Sequence, residues 1–224
     1  MHRPFSTQAR LFALIGGVLA LLTIPGCIIG AAIGGMAESY HRTGTTKVPA
    51  EYTGISGKSF AVVATGSRVM EADHPGLTAR LLQRVNDRLI ANANPSYAIP
   101  SMDLLTVLYN TPQWPAMTRG EVAEMFGVER LVVIEVIEYR LNEPGNQYVW
   151  DGLASVLVTV YESDNGLPDD PVYEKAIRVT FPDASGFMRT DLPEAAVTTE
   201  LSNRLVNRIA WLFYDHEESN VIPY

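Results

Sequence analysis

Cys27 is the single cysteine of the chain and the one thiol available for covalent chemistry. It closes an apolar run, where a cysteine either takes an acyl group or rests as an inert buried thiol. The other chemistry-bearing side chains are scattered. His41, His74 and His216 lie far apart with no partner at ligand spacing, and His74-Pro75 reads as the entry to a helix rather than a metal ligand. Asp164, Asp169 and Asp170 lack the alternating oxygen ligands and terminal glutamate of a calcium loop. Glu135 and Glu138 stand in a strand pattern three positions apart, which in a regular strand points them to opposite faces. That spacing argues against a shared acid–base role. Thr65-Gly66-Ser67 follows an apolar strand, but has neither a glycine-rich phosphate loop nor its lysine. There is no Gly-x-Ser-x-Gly elbow. These patterns predict no catalytic set, no metal and no cofactor.

The setting of Cys27 is more specific. Arg3 and Arg10 precede an apolar run from Leu11 to Ile24. A basic n-region, an apolar h-region and small residues before a cut make an export signal. Ile24-Pro25-Gly26-Cys27 resembles the lipobox of bacterial lipoproteins. The resemblance implies cleavage before Cys27, then acylation (palmitate among the acyl groups) of its sulfur and new amino group. The apolar run also continues from Ile28 to Ala37. Leu11 to Ala37 therefore exceeds the roughly 20 residues that cross a bilayer, and Gly26, Gly30 and Gly34 are spaced as in packed membrane helices. An uncleaved transmembrane anchor stays open beside the lipoprotein reading. In either case Arg3 and Arg10 mark the inner end and place residues 38–224 outside the cytoplasm.

The formal charge is −8, and loss of Arg3 and Arg10 takes the mature chain to −10. Such a chain is a poor match for nucleic acid, whose phosphates need a basic surface. About 198 residues remain after residue 26, enough for one domain with its own core. No second cysteine exists to form a disulfide, so packing must carry the stability. The expected division is 1–26 signal, 27–57 anchored apolar segment and spacer, 58–215 a single domain, and 216–224 a polar tail. Glu38 to Gly57 reads as spacer because it is rich in Thr, Gly and Ser without apolar period.

From Lys58 the periods become regular. Phe60–Ala64 reads as a buried strand. His74-Pro75-Gly76 opens a helix with Leu77, Leu81, Leu82, Val85 and Leu89 on one face, ended by Asn92, Asn94 and Pro95. Tyr97–Pro100 is a short strand and Met102 to Leu108 a weaker helical turn. Asn110 to Met117 is a loop in which Pro112 and Pro115 flank Trp114. Thr118 and Glu121 fit a capping box, and Gly127 the left-handed exit. Arg130–Arg140 is β-branched and apolar at its start, as a central strand is. Tyr148–Glu162 and Val172–Phe181 pair across the Asp164-Asn165-Gly166 turn. Asp191 is the expected cap of a last helix, with Glu194 at the capping-box position. Val197, Leu201, Leu205, Ile209 and Leu212 form its buried stripe. The order β-α-β-α-β-β-β-α predicts an α/β fold with a mixed sheet in two or three layers, parallel early and antiparallel late.

Glu124-Met125-Phe126-Gly127-Val128-Glu129-Arg130-Leu131-Val132-Val133-Ile134-Glu135-Val136 resembles a helix–Gly–strand junction of envelope lipoproteins. The group includes the curli-secretion lipoprotein, the penicillin-binding-protein activator lipoproteins and the TolB amino-terminal domain. This chain lacks the long amphipathic strands of a membrane barrel. The resemblance implies a bacterial envelope protein; the tether, the spacer from Glu38 to Gly57 and the lack of a convergent catalytic set predict that it binds another envelope protein and catalyses nothing. An envelope enzyme with a scattered site, or a subunit of an export complex, is the alternative. Ile28 after Cys27, where no Asp stands, resembles outer-membrane sorting facing the periplasm; the inner membrane stays open. Trp114, Pro112 and Pro115 are the expected contact residues, against the plainer reading that Trp114 packs on the core.

Overall fold

The computed structural model describes residues 44–220. The signal, Cys27 and the first part of the spacer lie outside the described residues. The described chain falls into two units, residues 47–217 and the small unit of 44–46 with 218–220. In the small unit the Asn220 N–H donates to the Gly44 carbonyl at 3.0 Å, and the Thr46 hydroxyl to Asn220 Oδ1 at 2.7 Å. The strands β1 (Thr45–Val48) and β7 (His216–Ser219) form a two-stranded sheet.

The remaining strands are β2 (Ser59–Gly66), β3 (Tyr97–Ala98), β4 (Arg130–Asn142), β5 (Trp150–Glu162) and β6 (Pro171–Phe181). They form one sheet in the order β3-β2-β4-β5-β6. β2 runs parallel to β3 and β4; β4–β5 and β5–β6 are antiparallel. The helices are α1 (Arg68–Asp73), α2 (Leu77–Asn92), α3 (Ser101–Asn110), α4 (Arg119–Phe126) and α5 (Glu194–Ala210), with a 3-10 turn at Trp114–Ala116. The fold is α/β with a mixed sheet.

Both alternating sets of β2 are buried: Phe60 and Val62 on one face, Ala61 and Val63 on the other. Two crossovers account for this. β2–α2–β3 steps outward across the sheet, and β3–α3–α4–β4 steps back over β2. Right-handed connections of opposite direction place their helices on opposite faces. The sheet is therefore three layers deep at β2 and the start of β4. At β5 and β6 it thins to two. There α5 covers one face: Leu201 and Val197 lie against Gly152, and the Tyr139 hydroxyl meets Ser202 Oγ at 3.3 Å. The other face of β6 presents Glu174, Ala176, Arg178 and Thr180 to water. A Cβ at Gly152 would lie 2.5 Å from the Phe181 carbonyl, so the β5–β6 pairing under α5 depends on glycine there.

The stripe expected of α5 is in the core in full: Val197, Leu201, Leu205, Ile209 and Leu212 are all buried. So are the five expected positions of α2. The Thr118 capping box is formed, and Gly127 exits α4 at φ 64°. The start of α5 differs from the sequence reading. Pro193 occupies the cap position with no side-chain bond, and the Asp191 carboxylate accepts the Met188 N–H at 2.8 Å instead. Asp191 thus closes the preceding turn and leaves the helix end to its backbone.

A larger difference concerns residues 49–57, expected as spacer. They belong to the packed unit: Ile55 is fully buried, and the Tyr52 N–H donates to the Leu212 carbonyl at 2.9 Å. The physical reason is Arg130, the first residue of β4 and nearly buried. Its guanidinium donates to the carbonyls of Gly54 (3.1 Å) and Glu129 (2.8 Å) and to Asp164 Oδ1 (2.5 Å), and it lies 3.4 Å from Glu162. The Tyr52 hydroxyl donates to the same Glu162 at 2.8 Å. Lys58 Nζ bridges Glu129 and Asp164, both at 2.8 Å. A polar segment is thereby clamped over the ends of β4 and β5.

Three outcomes follow from this packing. Leu205→Ala removes atoms from a fully buried site and is expected to cost roughly 2–5 kcal/mol in denaturant unfolding; a change of a few tenths would place the residue outside the core. Arg130→Met is expected to cost roughly 3 kcal/mol, the low end for breaking a buried pair, because Glu162 and Asp164 keep contact with water. Lys58 and then Arg130 hold the Asp164 carboxyl down at about 2. Its folded-state value is depressed, so its contribution is complete above the ordinary carboxylate range near about 4 and fades as pH falls through that range toward 2. Asp164→Asn is expected to flatten that part of the acid unfolding limb, and an unchanged limb would exclude the pair as its source.

Candidate functional site

The helix α3 carries apolar side chains on its outer as well as its inner side, with Asp103, Thr106 and Asn110 exposed among them. Leu104 is fully buried, and Leu105, Val107 and Leu108 are half-buried. Met102 and Tyr109, one heptad apart on its outer side, are 65 % and 86 % exposed. Between Arg88 and Arg119 the sole charged side chain in the sequence is Asp103. This part of the surface is therefore apolar and almost free of charge.

Beside α3 the chain turns through Thr111–Met117. The Trp114 N–H donates to the Thr111 carbonyl at 3.0 Å, and the Trp114 carbonyl accepts from Met117 at 3.1 Å. These bonds turn the indole inward, and Trp114 is only 8 % exposed. Pro112 and Pro115 are exposed. The plainer sequence reading thus describes Trp114: it is a wall of the core rather than a protruding anchor. It lines an open groove of about 630 Å³ with Ala64, Thr78, Leu82, Leu105 and Tyr109. Met102 and Tyr109 carry the exposed apolar surface here. Sequence reasoning passed over both, although the charge gap from Arg88 to Arg119 marks them.

Buried polar groups set the groove. Asn86, inside α2, donates from Nδ2 to the Ile99 carbonyl (3.0 Å) and Ser101 Oγ (3.1 Å). The Ser101 hydroxyl donates to Asp87 Oδ1 at 2.7 Å. Together they fix the start of α3 against α2, and so the groove's width.

The other candidates stand apart from this groove. His74 meets Tyr139 edge-on at 4.8 Å, and His216 stacks on Trp211 at 4.5 Å; His41 lies outside the described residues. Asp164 belongs to the Arg130 clamp, and the Asp169 carboxylate accepts the Gly120 N–H at 2.7 Å. Ser67 caps α1 by accepting from Met70 at 3.1 Å. Among the described residues no group of three or more His, Cys, Asp or Glu is arranged to hold a metal. Glu135 and Glu138 depart from the expectation of opposite faces. A bulge at Ile137 lets Glu135 pair with Leu157 and Glu138 with Ser155. Those partners are two apart on β5, so both carboxylates lie on one exposed face. Glu138 is paired with Arg140 at 2.9 Å. Arg204 is a buried charge the sequence did not mark. It holds Asp183 through two nitrogens and Glu200 at 3.0 Å. Asp183 is drawn below the usual carboxylate range by that hydrogen bond. This cluster latches α5 to the end of β6 and leaves no free acid or base.

No protein-family model and no curated protein sequence matches the chain. Among solved structures it is similar to lipoprotein GNA1162 of Neisseria meningitidis, at 16 % identity over 68 % of this chain and 97 % of that one, with a TM-score of 0.44. It is similar to the PelC dodecamer of Paraburkholderia phytofirmans, at 14 % identity over 76 % and 97 %, with a TM-score of 0.41. It is also similar to the hypothetical protein CT253 of Chlamydia trachomatis, at 15 % identity over 69 % and 96 %, with a TM-score of 0.40.

Proposed function

We propose that this chain is a lipid-anchored lipoprotein of the bacterial envelope whose folded unit binds another envelope protein and performs no chemistry. The anchor rests on Arg3, Arg10, the apolar run and Ile24-Pro25-Gly26-Cys27. On this reading Cys27 carries the acyl groups, and the unit faces the periplasm from the outer membrane. The binding role rests on one observation: the surface of α3, whose one charge is Asp103 and where exposed Met102 and Tyr109 stand beside the Trp114 groove. An aromatic side chain beside an apolar cleft is the composition of an interface anchor. A tether raises the local concentration of the unit at its partner, so a modest contact area suffices.

Intact-mass measurement on membrane-extracted protein checks the anchor. The expected mass lacks residues 1–26 and carries added acyl mass; Met1 retained with Cys27 unmodified would restore the transmembrane reading. A photo-crosslinking residue at Tyr109 checks the surface in cells. A discrete protein adduct is expected there and none at Glu174 on the solvated sheet face. Equal crosslinking at both positions would remove α3 from the interface. Turnover of an envelope substrate, abolished by a single acidic substitution, would defeat the binding reading.

A further inference from the structure

We infer that the arginine row of α2, Arg80-Arg84-Arg88, is a docking surface for the phosphates of anionic phospholipid headgroups. The three residues are spaced by four and so share one line along the helix, about 12 Å from end to end. Among the described residues none of them forms an ion pair. That is unexpected in a chain with 25 carboxylates against 17 cations. Arg130, Arg140, Arg189 and Arg204 each hold a carboxylate.

The hydrogen-bond partners of Arg80 and Arg84 are neutral, and Glu71, beside the start of α2, already accepts the Gly76 N–H at 2.6 Å and the Thr78 hydroxyl at 3.2 Å. Arg80 donates to the Pro75 carbonyl at 2.7 Å, and Arg84 to the Asn203 amide oxygen on α5 at 2.5 Å. Asp87, the one acid of α2, already accepts the Ser101 hydroxyl. Burial and the charge of Arg88 both lower the pKa of Arg84. Like charges at this spacing destabilise a helix, so the row carries a standing repulsion that an external anion relieves. Guanidinium groups match phosphate through paired N–H bonds.

The lipid source is favoured because the proposed anchor places it beside the unit. This step rests on the lipoprotein reading: an acylated Cys27 holds the unit beside a bilayer. Headgroups are then present at high effective concentration, and a surface arginine contributes most within a Debye length of them. An acidic chain is repelled by an anionic leaflet over most of its surface. It can approach only where cations outnumber carboxylates, as on α2. The row lies on the α5 flank of α2, since Arg84 reaches Asn203. Asn86 reaches the start of α3 on the other flank. The headgroup surface and the groove are thus separate, and both can be occupied at once.

The test uses the full acylated chain in vesicles. With Cys27 acylated, Gln83→Cys places a single free thiol beside the row for an environment-sensitive dye. Vesicles of phosphatidylcholine alone are compared with an equal mixture of phosphatidylcholine and phosphatidylglycerol. The chain is expected to float with both, and the dye emission to shift only with phosphatidylglycerol. The shift is expected to be lost in Arg80→Gln/Arg84→Gln/Arg88→Gln and in high salt, and kept in the corresponding triple lysine variant. Unchanged melting of the glutamine variant checks its fold. A shift in both vesicles, or one that survives the glutamine variant, overturns the proposal. A shift with polyglutamate but not with phosphatidylglycerol overturns it in favour of an acidic protein. A chain that fails to float with phosphatidylcholine defeats the anchor instead; the phosphatidylglycerol-dependent shift, read with Cys27→Ser added, then still decides the row.

Discussion

The first side chain of the central strand, Arg130, is the constraint on which the packing of the larger unit turns. A nearly buried guanidinium must find acceptors for its five N–H groups. Here they come from four places in the sequence: the Gly54 carbonyl, the Glu129 carbonyl, Glu162 and Asp164. Satisfying that one group brings residues 52–58, the start of β4 and the end of β5 to a common point. Once the clamp is closed, Tyr52 sits against Tyr173 (5.6 Å) and edge-on to Phe213 (6.0 Å). Segment 52–58 then covers the sheet end and buries its own Ile55. Burial and the hydrogen bond to Glu162 both raise the Tyr52 pKa, so the phenol stays neutral and remains the donor in this pair.

The sheet converts this local closure into a surface with two characters. Where helices lie on both faces, Phe60–Ala64 of β2 and Leu131–Ile134 of β4 are apolar and buried on both sides of the sheet. Where the sheet thins at β6, the outer face is charged and solvated. Glu174, Lys175 and Arg178, with Pro171 at the strand start, keep this edge from pairing with another chain. On α3, by contrast, Met102 and Tyr109 stand exposed together, on a helix whose start is held by Asn86 and Ser101.

Much of this was legible because the relevant signals are local and periodic. The valines of β4, the stripes of α2 and α5, and the Thr118–Glu121 box each announce themselves within one element. What escaped depended on distant partners. Ile55 is a lone apolar residue in a polar stretch, and only Arg130, 75 positions on, shows why it is enclosed. Arg130 and Arg204 look like surface charges until Asp164 and Asp183 arrive beside them. The bulge at Ile137 turns a three-residue spacing into a shared face, which no strand period anticipates. For the site, Trp114 drew attention as a residue type. The proposed contact rests instead on the sparse charge around it, and an absence is harder to read than a motif.

That absence has a counterpart on the next helix. Glu and Asp are common in this chain, yet α2 holds one acid against three arginines, and the stretch after it holds one charge in total. The arginines form no ion pair among the described residues, and a solvated face of any sign would keep α2 soluble. Met102 and Tyr109 contribute nothing to the core from where they stand. Side chains that raise the free energy of the isolated unit, or leave it unchanged, fit functions outside the fold. The two groups differ in kind, one cationic and one apolar and uncharged. On the two proposals made above, α2 and α3 therefore meet different neighbours, the first a headgroup surface and the second a protein.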